Sequence, residues 1–279
     1  MVQAILLGFA FAAAISLVAW RLHALDSGGA ISAWVAGGII FGLGGIGPSA
    51  ALLAFFLSGS ILSSLPEHRR AGPLLLKKAS STMQLAGGYA RNWKQVVANG
   101  FVPLAAIVAA RFVPGHKLLF LHAFYGSIAA ACADSWGTEI GTRFGTRVRD
   151  SITGHEIAAG LSGGVSLRGM AGSIGGAAII MAAAALAGGD SLARHPWALA
   201  GILIAGVLGT IFDSMLGSTM QAKYRDAQSG EILENPPSSE EGTRQVRLVA
   251  GYKQIRNNAV NFAASAIGAL IIVLILDIR

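Results

Sequence analysis

Charge is scarce in this chain. Asp, Glu, Lys and Arg together make up 13% of its 279 residues, against roughly 25% in a soluble domain. Cysteine is scarcer still: Cys132 stands alone, so no internal disulfide can form and the redox state of the compartment is not readable. Within its apolar run Cys132 reads as a packing residue. His68, His116, His122, His155 and His195 show no metal-ligand spacing, and no Gly-Lys-Ser/Thr follows a glycine-rich stretch. Neither a zinc site nor a P-loop nor a Ser–His–Asp triad can therefore be argued. No basic residue precedes the first apolar run, which argues against a cleaved signal peptide.

What the chain has is apolar length. It is 53% hydrophobic with 37 glycines and a mean hydropathy of +0.60. These values predict an all-α, polytopic transmembrane bundle of about 7–8 spans, with residues 1–279 as one membrane domain. Abundant glycine suits close helix packing in lipid. Spans are expected at 2–20, 28–46, 48–64, 95–113, 117–137, 167–188, 198–219 and 257–277, with a weak break or a kink between Gly42 and Pro48. The connections alternate in charge. Arg21–Ser27 and the loops 65–94, 138–168 and 220–256 hold 17 of the 21 Lys and Arg residues. The positive-inside rule makes these the cytoplasmic loops and places both termini outside. The net charge of +7 then reflects loops facing anionic lipid, not nucleic acid. The run Arg69, Arg70, Lys77 and Lys78 belongs to that surface, and the acidic, Pro-rich segment Gln228–Gly242 reads as a mobile loop.

Polar residues inside the apolar segments cluster at one depth on that side. Asp26 opens the second span, Asn99 is about a turn into the fourth, and Asp134 ends the fifth. Asp213 is about two turns from the end of the seventh, and Asn257, Asn258 and Asn261 begin the eighth. Structural polar residues would be scattered, so this level marks a site facing the cytoplasm. Asp-Ser recurs at 26–27, 134–135 and 213–214, each time with glycine close behind, as an internal duplication would leave it. The stretch Ala133–Gly141 carries Asp134, Ser135, Thr138 and Glu139. An unbroken helix separates the two carboxylates by about 140°, and Gly137 and Gly141 could loosen it and bring them together. A carboxylate in lipid costs at least about 2.5–3.5 kcal/mol. A metal shared by Asp134 and Asp213 would offset that cost, and pairing with Arg, Asn or Ser is the plainer alternative. Magnesium takes one or two carboxylates and leaves its other positions to water and phosphate.

Other stretches suit phosphate. Arg91, Gln95 and Asn99 share one helical face beside Lys94 and could present a cation and two amides; Arg91 and Lys94 could equally be interfacial anchors, as Trp93 suggests. Asn257 and Asn261 also share a face. The segment Ser162–Gly169 opens a helix with Gly163, Gly164, Ser166 and Arg168, a pattern that can cradle an anion and that is also common in membrane helix starts.

In Asp26–Ala30, Arg91–Gly100, Ala133–Gly141, Gly160–Gly169, Gly209–Gln221 and Asn257–Phe262, taken in order, the chain resembles the integral membrane family that includes plant and cyanobacterial phytyl-phosphate kinases. The resemblance implies phosphorylation of an isoprenoid monophosphate to the diphosphate by a nucleoside triphosphate, with CTP the expected donor. It carries site roles onto Asp134, Glu139, Asp213, Asn99 and Asn258. The chemistry also resembles that of CTP-dependent polyprenol kinases. Ala159 and Leu161 depart from the Pro and Thr of relatives. The Cys and His pairs that some relatives carry in the last cytoplasmic loop are missing, so no metal site is expected in that loop. On this reading Asp134, Asp213 and Glu139 hold magnesium as metal ligands. Arg91, Lys94 and Arg168 neutralise charge, and Gly163, Gly164 and Ser166 cradle phosphate. Asp26, Asn99, Ser135, Thr138, Ser214, Asn258 and Asn261 contact substrate or nucleotide. The expected partners are the lipid bilayer, an isoprenoid phosphate and a nucleotide, with homo-oligomers allowed. A bacterial inner membrane or a plastid-type membrane is the expected location. Two rivals stand: a CTP-dependent nucleotidyltransferase acting on a lipid phosphate, and a transporter or flippase, whose site would be expected nearer the bilayer midplane.

Overall fold

Long apolar stretches with few breakers dictate helices, and the structure has them. It is a computed structural model that describes residues 2–65, 90–188, 196–235 and 245–277. The basic run Arg69, Arg70, Lys77 and Lys78, most of the 65–94 loop, His68 and His195 lie outside the described residues. The helices are α1 (Val2–Arg21), α2 (Ser27–Gly44), α3 (Ile46–Ser64), α4 (Trp93–Phe112), α5 (Lys117–Phe144), α6 (Leu167–Ala187), α7 (Pro196–Thr219) and α8 (Asn257–Asp277). All eight are long and apolar enough to cross a membrane.

Local chemistry sets their ends. The Asp26 side chain caps α2 by accepting the Gly29 N–H at 2.6 Å. Asn92 and Gln95 form a reciprocal capping box at the start of α4, and Ser166 caps α6 through the Gly169 N–H. The break expected near Gly42–Pro48 is at Gly45, whose φ of 75° suits glycine and ends α2. Pro48 follows within the first turn of α3, where a missing N–H costs nothing. One boundary differs from expectation. Helix α5 does not stop at 137 but continues to Phe144, because Gly137 and Gly141 pack against α6 and do not loosen the helix. Its 28 residues span about 42 Å at about 1.5 Å each, longer than the roughly 30 Å hydrocarbon core. The first residues assigned to the 138–168 loop are thus its last turns.

Helix α5 is the centre of the bundle, with α3, α4, α6, α7 and α8 all packed on it. Small residues allow this. A Cβ on Gly126 would strike the Gly268 carbonyl of α8, and one on Gly209 of α7 would lie 2.5 Å from the Ala130 Cβ. On α6, Cβ atoms at Gly172 and Gly176 would be 2.8 Å and 2.7 Å from the Trp136 and Cys132 carbonyls. Buried Phe124, Tyr125, Ile128 and Cys132 of α5 join Ile40, Phe55, Ile107, Ile180, Ile202 and Ile272 in one core. Outward faces carry Leu6, Leu17, Ile31, Ile61, Phe101, Leu186, Ile204, Leu270 and Leu274 exposed, as lipid contact requires.

The basic loops carry small sheets that hydropathy did not reveal. Strand β1 (Arg149–Asp150) pairs antiparallel with β2 (Gly164–Val165), and β3 (Lys223–Asp226) lies between β4 (Ile232–Leu233) and β5 (Val246–Ala250). The first part of the segment expected as a mobile loop, from Gln228, is therefore hairpin. Asp226 accepts the backbone N–H groups of Gln228 and Ser229, and Gly230 takes a φ of 70°, so the turn is specified locally. Residues 236–244 lie outside the described residues.

A Gly126→Val substitution tests the packing of α5. Its side chain would meet the Gly268 carbonyl, and the expected loss is about 1–3 kcal/mol of stability, read as a lower unfolding midpoint in detergent. Gly100→Ala, at a position with open space around it, should leave the midpoint unchanged. Equal midpoints for the two variants would refute the close approach of α5 and α8.

Candidate functional site

The polar residues that hydropathy placed at one level divide into two clusters, one on either side of α5. Glu139 stands about 140° round the helix from Asp134, and the helix is unbroken between them. The expectation that Gly137 and Gly141 would bring the two carboxylates together is therefore corrected.

The first cluster gathers on the α3 side. Residues 90–92 run beside the α1–α2 turn, with the Arg91 N–H donating to Ala24 and its carbonyl accepting the Asp26 N–H. This turns the Arg91 side chain into the bundle. Its guanidinium lies over the rings of Phe55 and Phe56, 5.4 Å and 5.9 Å from their centroids, and is attracted by Glu139. Glu139 itself accepts from the Ser63 hydroxyl at 2.5 Å and from Arg143. Arg143, which the sequence reading passed over, has a side chain only 4% exposed, donates to the Ser63 carbonyl at 3.0 Å, and leaves its Nε buried without a partner among the described residues. Two guanidiniums thus share one carboxylate. The i, i+4 spacing of Glu139 and Arg143 was the available signal.

A cavity begins at this cluster. It encloses about 930 Å³ of empty space, open mouth included, between α1, α2, α3 and α4. Arg91, Gln95 and Asn99 supply polar groups near the basic-loop end. Ile15, Ile40, Leu52 and Phe56 are among its apolar walls. Ala33 to Phe41 on its α2 wall spans about 12 Å at about 1.5 Å per residue.

The second cluster gathers on the α7 side. Asp134 and Asp213 are close enough to repel each other, and Glu234, from just after β4, adds to the repulsion on Asp213. The Asp213 Oδ2 is buried with no hydrogen-bond partner among the described residues, as is the Asn261 Oδ1 of α8. Asn258, Ser135 and Ser214 are partly buried, and Thr138 is exposed. Among the described residues no three His, Cys, Asp or Glu side chains stand close enough to hold a metal together. Glu139, engaged with Arg143 and Ser63, is separated from the other two expected ligands. Two mutually repelling carboxylates, one with an orphaned buried oxygen, do fit magnesium, which needs only one or two.

The remaining expected residues have intramolecular work. Asp26 caps α2 and Ser166 caps α6. Gly163 has a φ of 87°, and a Cβ there would sit 2.6 Å from the backbone of Ser218 in α7. Gly164 pairs with Asp150 and gives its N–H to the Leu161 carbonyl. Exposed Arg168 donates to the Phe144 carbonyl, tying α6 to the end of α5. Lys94 is exposed, with its ammonium 5.7 Å from the Trp93 ring centroid. The Gly163–Gly164 segment thus clasps β1 and α7.

The clasp is organised by Asp150, which sequence reading also missed. Its Oδ1 accepts from the Ile152 and Thr153 backbones and the Thr153 hydroxyl. Its Oδ2 accepts from Ser218 of α7 at 2.7 Å. Burial alone would raise this carboxyl; the hydrogen bonds outweigh it and hold the pKa at about 2. An Asx turn in Asp150-Ser151-Ile152-Thr153 was the only sequence signal.

The model of the family described as "Integral membrane protein DUF92" matches residues 10–269, so the chain belongs to that family. It is 26% identical to Protein PGR of Arabidopsis thaliana, with 89% of each chain covered. It is likewise 26% identical to an uncharacterized membrane protein, MJ0933, of Methanocaldococcus jannaschii, over 75% of this chain and 80% of that one. No solved structure matches.

The lowered pKa of Asp150 has a direct consequence. The carboxylate stabilises the docked loop fully above its unfolded value of about 3.9, and that contribution disappears as pH falls through about 2. Hydrogen exchange across 148–165 should stay slow at pH 4 in the native protein. In Asp150→Asn it should be fast at both pH 4 and pH 7. Equal protection in the two proteins at pH 7 would show that the clasp does not depend on this carboxylate.

Proposed function

We propose that this member of the DUF92 family is a membrane kinase that converts an isoprenoid monophosphate, of phytyl or geranylgeranyl type, to its diphosphate with CTP. The positive-inside rule places the basic loops, and with them the reaction, on the cytoplasmic face of a bacterial inner membrane or its plastid counterpart. The observation that carries this reading is the cavity between α1 and α4, with apolar walls and Arg91, Gln95 and Asn99 at the basic-loop end. That combination suits an apolar chain with an anionic head.

Arg91 is held by Phe55, Phe56 and Glu139, so its guanidinium is oriented before the phosphate arrives. Gln95 and Asn99 add amide donors. A phosphate oxygen of the lipid would attack the γ-phosphorus of CTP. The bond to the β-phosphate oxygen breaks, and CDP leaves with that electron pair. A phosphate monoester is already mostly dianionic at neutral pH, its second pKa being about 6, so no strong general base is required. Phosphoryl transfer depends chiefly on positioning and charge neutralisation. Asp134 and Asp213 are the residues that would hold magnesium, which when bound supplies the positive charge that shields the nucleotide phosphates. Asn258, Asn261, Ser135, Thr138 and Ser214 line the polar level where the nucleotide would be held. Lys94 and Arg168, both exposed, would attract anions electrostatically.

The test is turnover of phytyl or geranylgeranyl monophosphate by the purified chain with magnesium and CTP. We expect lipid diphosphate and CDP in equal amounts, and a loss of at least about 100-fold in Asp134→Asn and Asp213→Asn, in keeping with removal of a preorganised electrostatic group. Pyrophosphate and a CDP-lipid in place of CDP would assign a nucleotidyltransferase. No product with any nucleotide would refute the kinase and leave transport of the lipid phosphate to be measured in vesicles.

A further inference from the structure

The kinase reading makes no use of Glu234, although this carboxylate is held in place with some care. The hairpin of β3 and β4 returns the chain towards the end of α7, and Glu234 follows β4 directly. Its Oε1 accepts the Ser162 N–H, and its Oε2 accepts the Gln221 Nε2 at 3.0 Å. Gln221 is 1% exposed and is fixed just past the end of α7 by its backbone bridge to Tyr252. With its Nε2 given to Glu234, its Oε1 is left buried with no partner among the described residues. The Asp213 Oδ2 is in the same state. Among the described residues, the charges that act on Asp213 are Asp134 and Glu234, both negative.

These oxygens have a common need. Among the described residues, Asp213 and Glu234 repel, a buried amide oxygen beside Glu234 lacks a donor, and no guanidinium or ammonium acts on Asp213. Ionised groups out of water persist only when paired or coordinated. Oxygen donors without nitrogen or sulfur select hard divalent cations. We propose that Asp213, Glu234 and Gln221 form an oxygen-lined site for magnesium or manganese, closed over α7 by the β3–β4 hairpin. Two carboxylates and one amide leave coordination positions for water and a phosphate oxygen, the usual arrangement for magnesium. The proposal rests on the kinase reading only for the anion that the cation would carry. It also revises the expectation that the 220–256 loop holds no part of a metal site. The missing Cys and His pairs exclude a soft-ligand site there, and Glu234 supplies an oxygen instead.

The experiment is a manganese titration of the full chain in lipid nanodiscs, without nucleotide, followed by electron paramagnetic resonance and competed with magnesium. The wild type should bind manganese at a site that depends on Glu234. Glu234→Gln keeps an oxygen for the Ser162 N–H and should fold; its affinity should fall about tenfold or more. Gln221→Ala should weaken binding in the same direction. Glu231→Gln, on the same hairpin, should bind as the wild type does. Undiminished affinity in Glu234→Gln, or no manganese bound by the wild type at millimolar concentration, would overturn the site. Binding that depends on Glu234 in a protein that makes no CDP would leave the cation site standing and remove the kinase reading.

Discussion

The rest of the structure depends on how closely other helices can approach α5. In lipid there is no water to expel from between helices, so association rests on van der Waals contact and interhelical hydrogen bonds. Both need backbones close together. The run from Gly126 to Gly141 provides this with glycine, alanine and serine at contact positions, matched by Gly172 and Gly176 on α6, Gly209 on α7 and Gly268 on α8. Where backbones meet this closely, helix directions are fixed, and so is the outward direction of every larger side chain on α5. Trp136 illustrates the result: its indole N–H reaches the Ser58 hydroxyl of α3 at 3.1 Å.

That geometry sorts charge. Glu139 and Arg143 leave α5 towards α3, where Glu139 attracts Arg91, and Asp134 leaves towards α7 and meets Asp213. An unbroken helix keeps the two groups apart, and the sorting matters because each is unbalanced among the described residues. Two guanidiniums share one carboxylate on the α3 side, whereas carboxylates repel one another on the α7 side. The first group suits an anion and the second a cation. In low dielectric such groups interact far more strongly than in water, so they would neutralise each other if α5 frayed at Gly137. Packing of Gly137 and Gly141 on α6 is what prevents this. This helix contact thus maintains the charge separation on which the proposed chemistry relies.

Much of this was legible from sequence, for identifiable reasons. Span positions follow from apolar length and loop charge, quantities that a bilayer reads directly. Asp134, Asp213, Arg91 and Asn99 stood out because each is costly in lipid. Glu139 was legible as a site candidate but not in its direction, since glycine marks both a flexible helix end and a close helix contact. Glu234 and Gln221 were not legible at all. They belong to a loop where polar residues are ordinary, and only the pairing of β3 with β4 carries Glu234 back to Gln221 at the end of α7. Asp150 was hidden in the same way, because its partner Ser218 is distant in sequence.

The glycine-rich segment before α6 shows how one pattern can serve two physical ends. Gly-Gly followed by a helix N-cap exposes backbone N–H groups in any structure that leaves them free, which is why it suggests a phosphate cradle. Here the Gly164 N–H meets the Leu161 carbonyl, and the Ser166 hydroxyl accepts from Gly169. Glycine is demanded at 163 by a φ of 87° and by the backbone of Ser218. With those backbone and hydroxyl groups occupied, charge neutralisation for a bound phosphate falls to side chains. Of the arginines, Arg168 is turned to the Phe144 carbonyl. Arg91 faces the cavity, and Arg143, bonded to Glu139, has a buried Nε without a partner among the described residues. A guanidinium that is oriented by aromatic faces and shares its countercharge with a second arginine can bind a phosphate without first breaking a full ion pair. The proposed anion site is therefore built from the α3–α4–α5 contact, and the glycine loop contributes by holding the end of α7, the helix that carries Asp213.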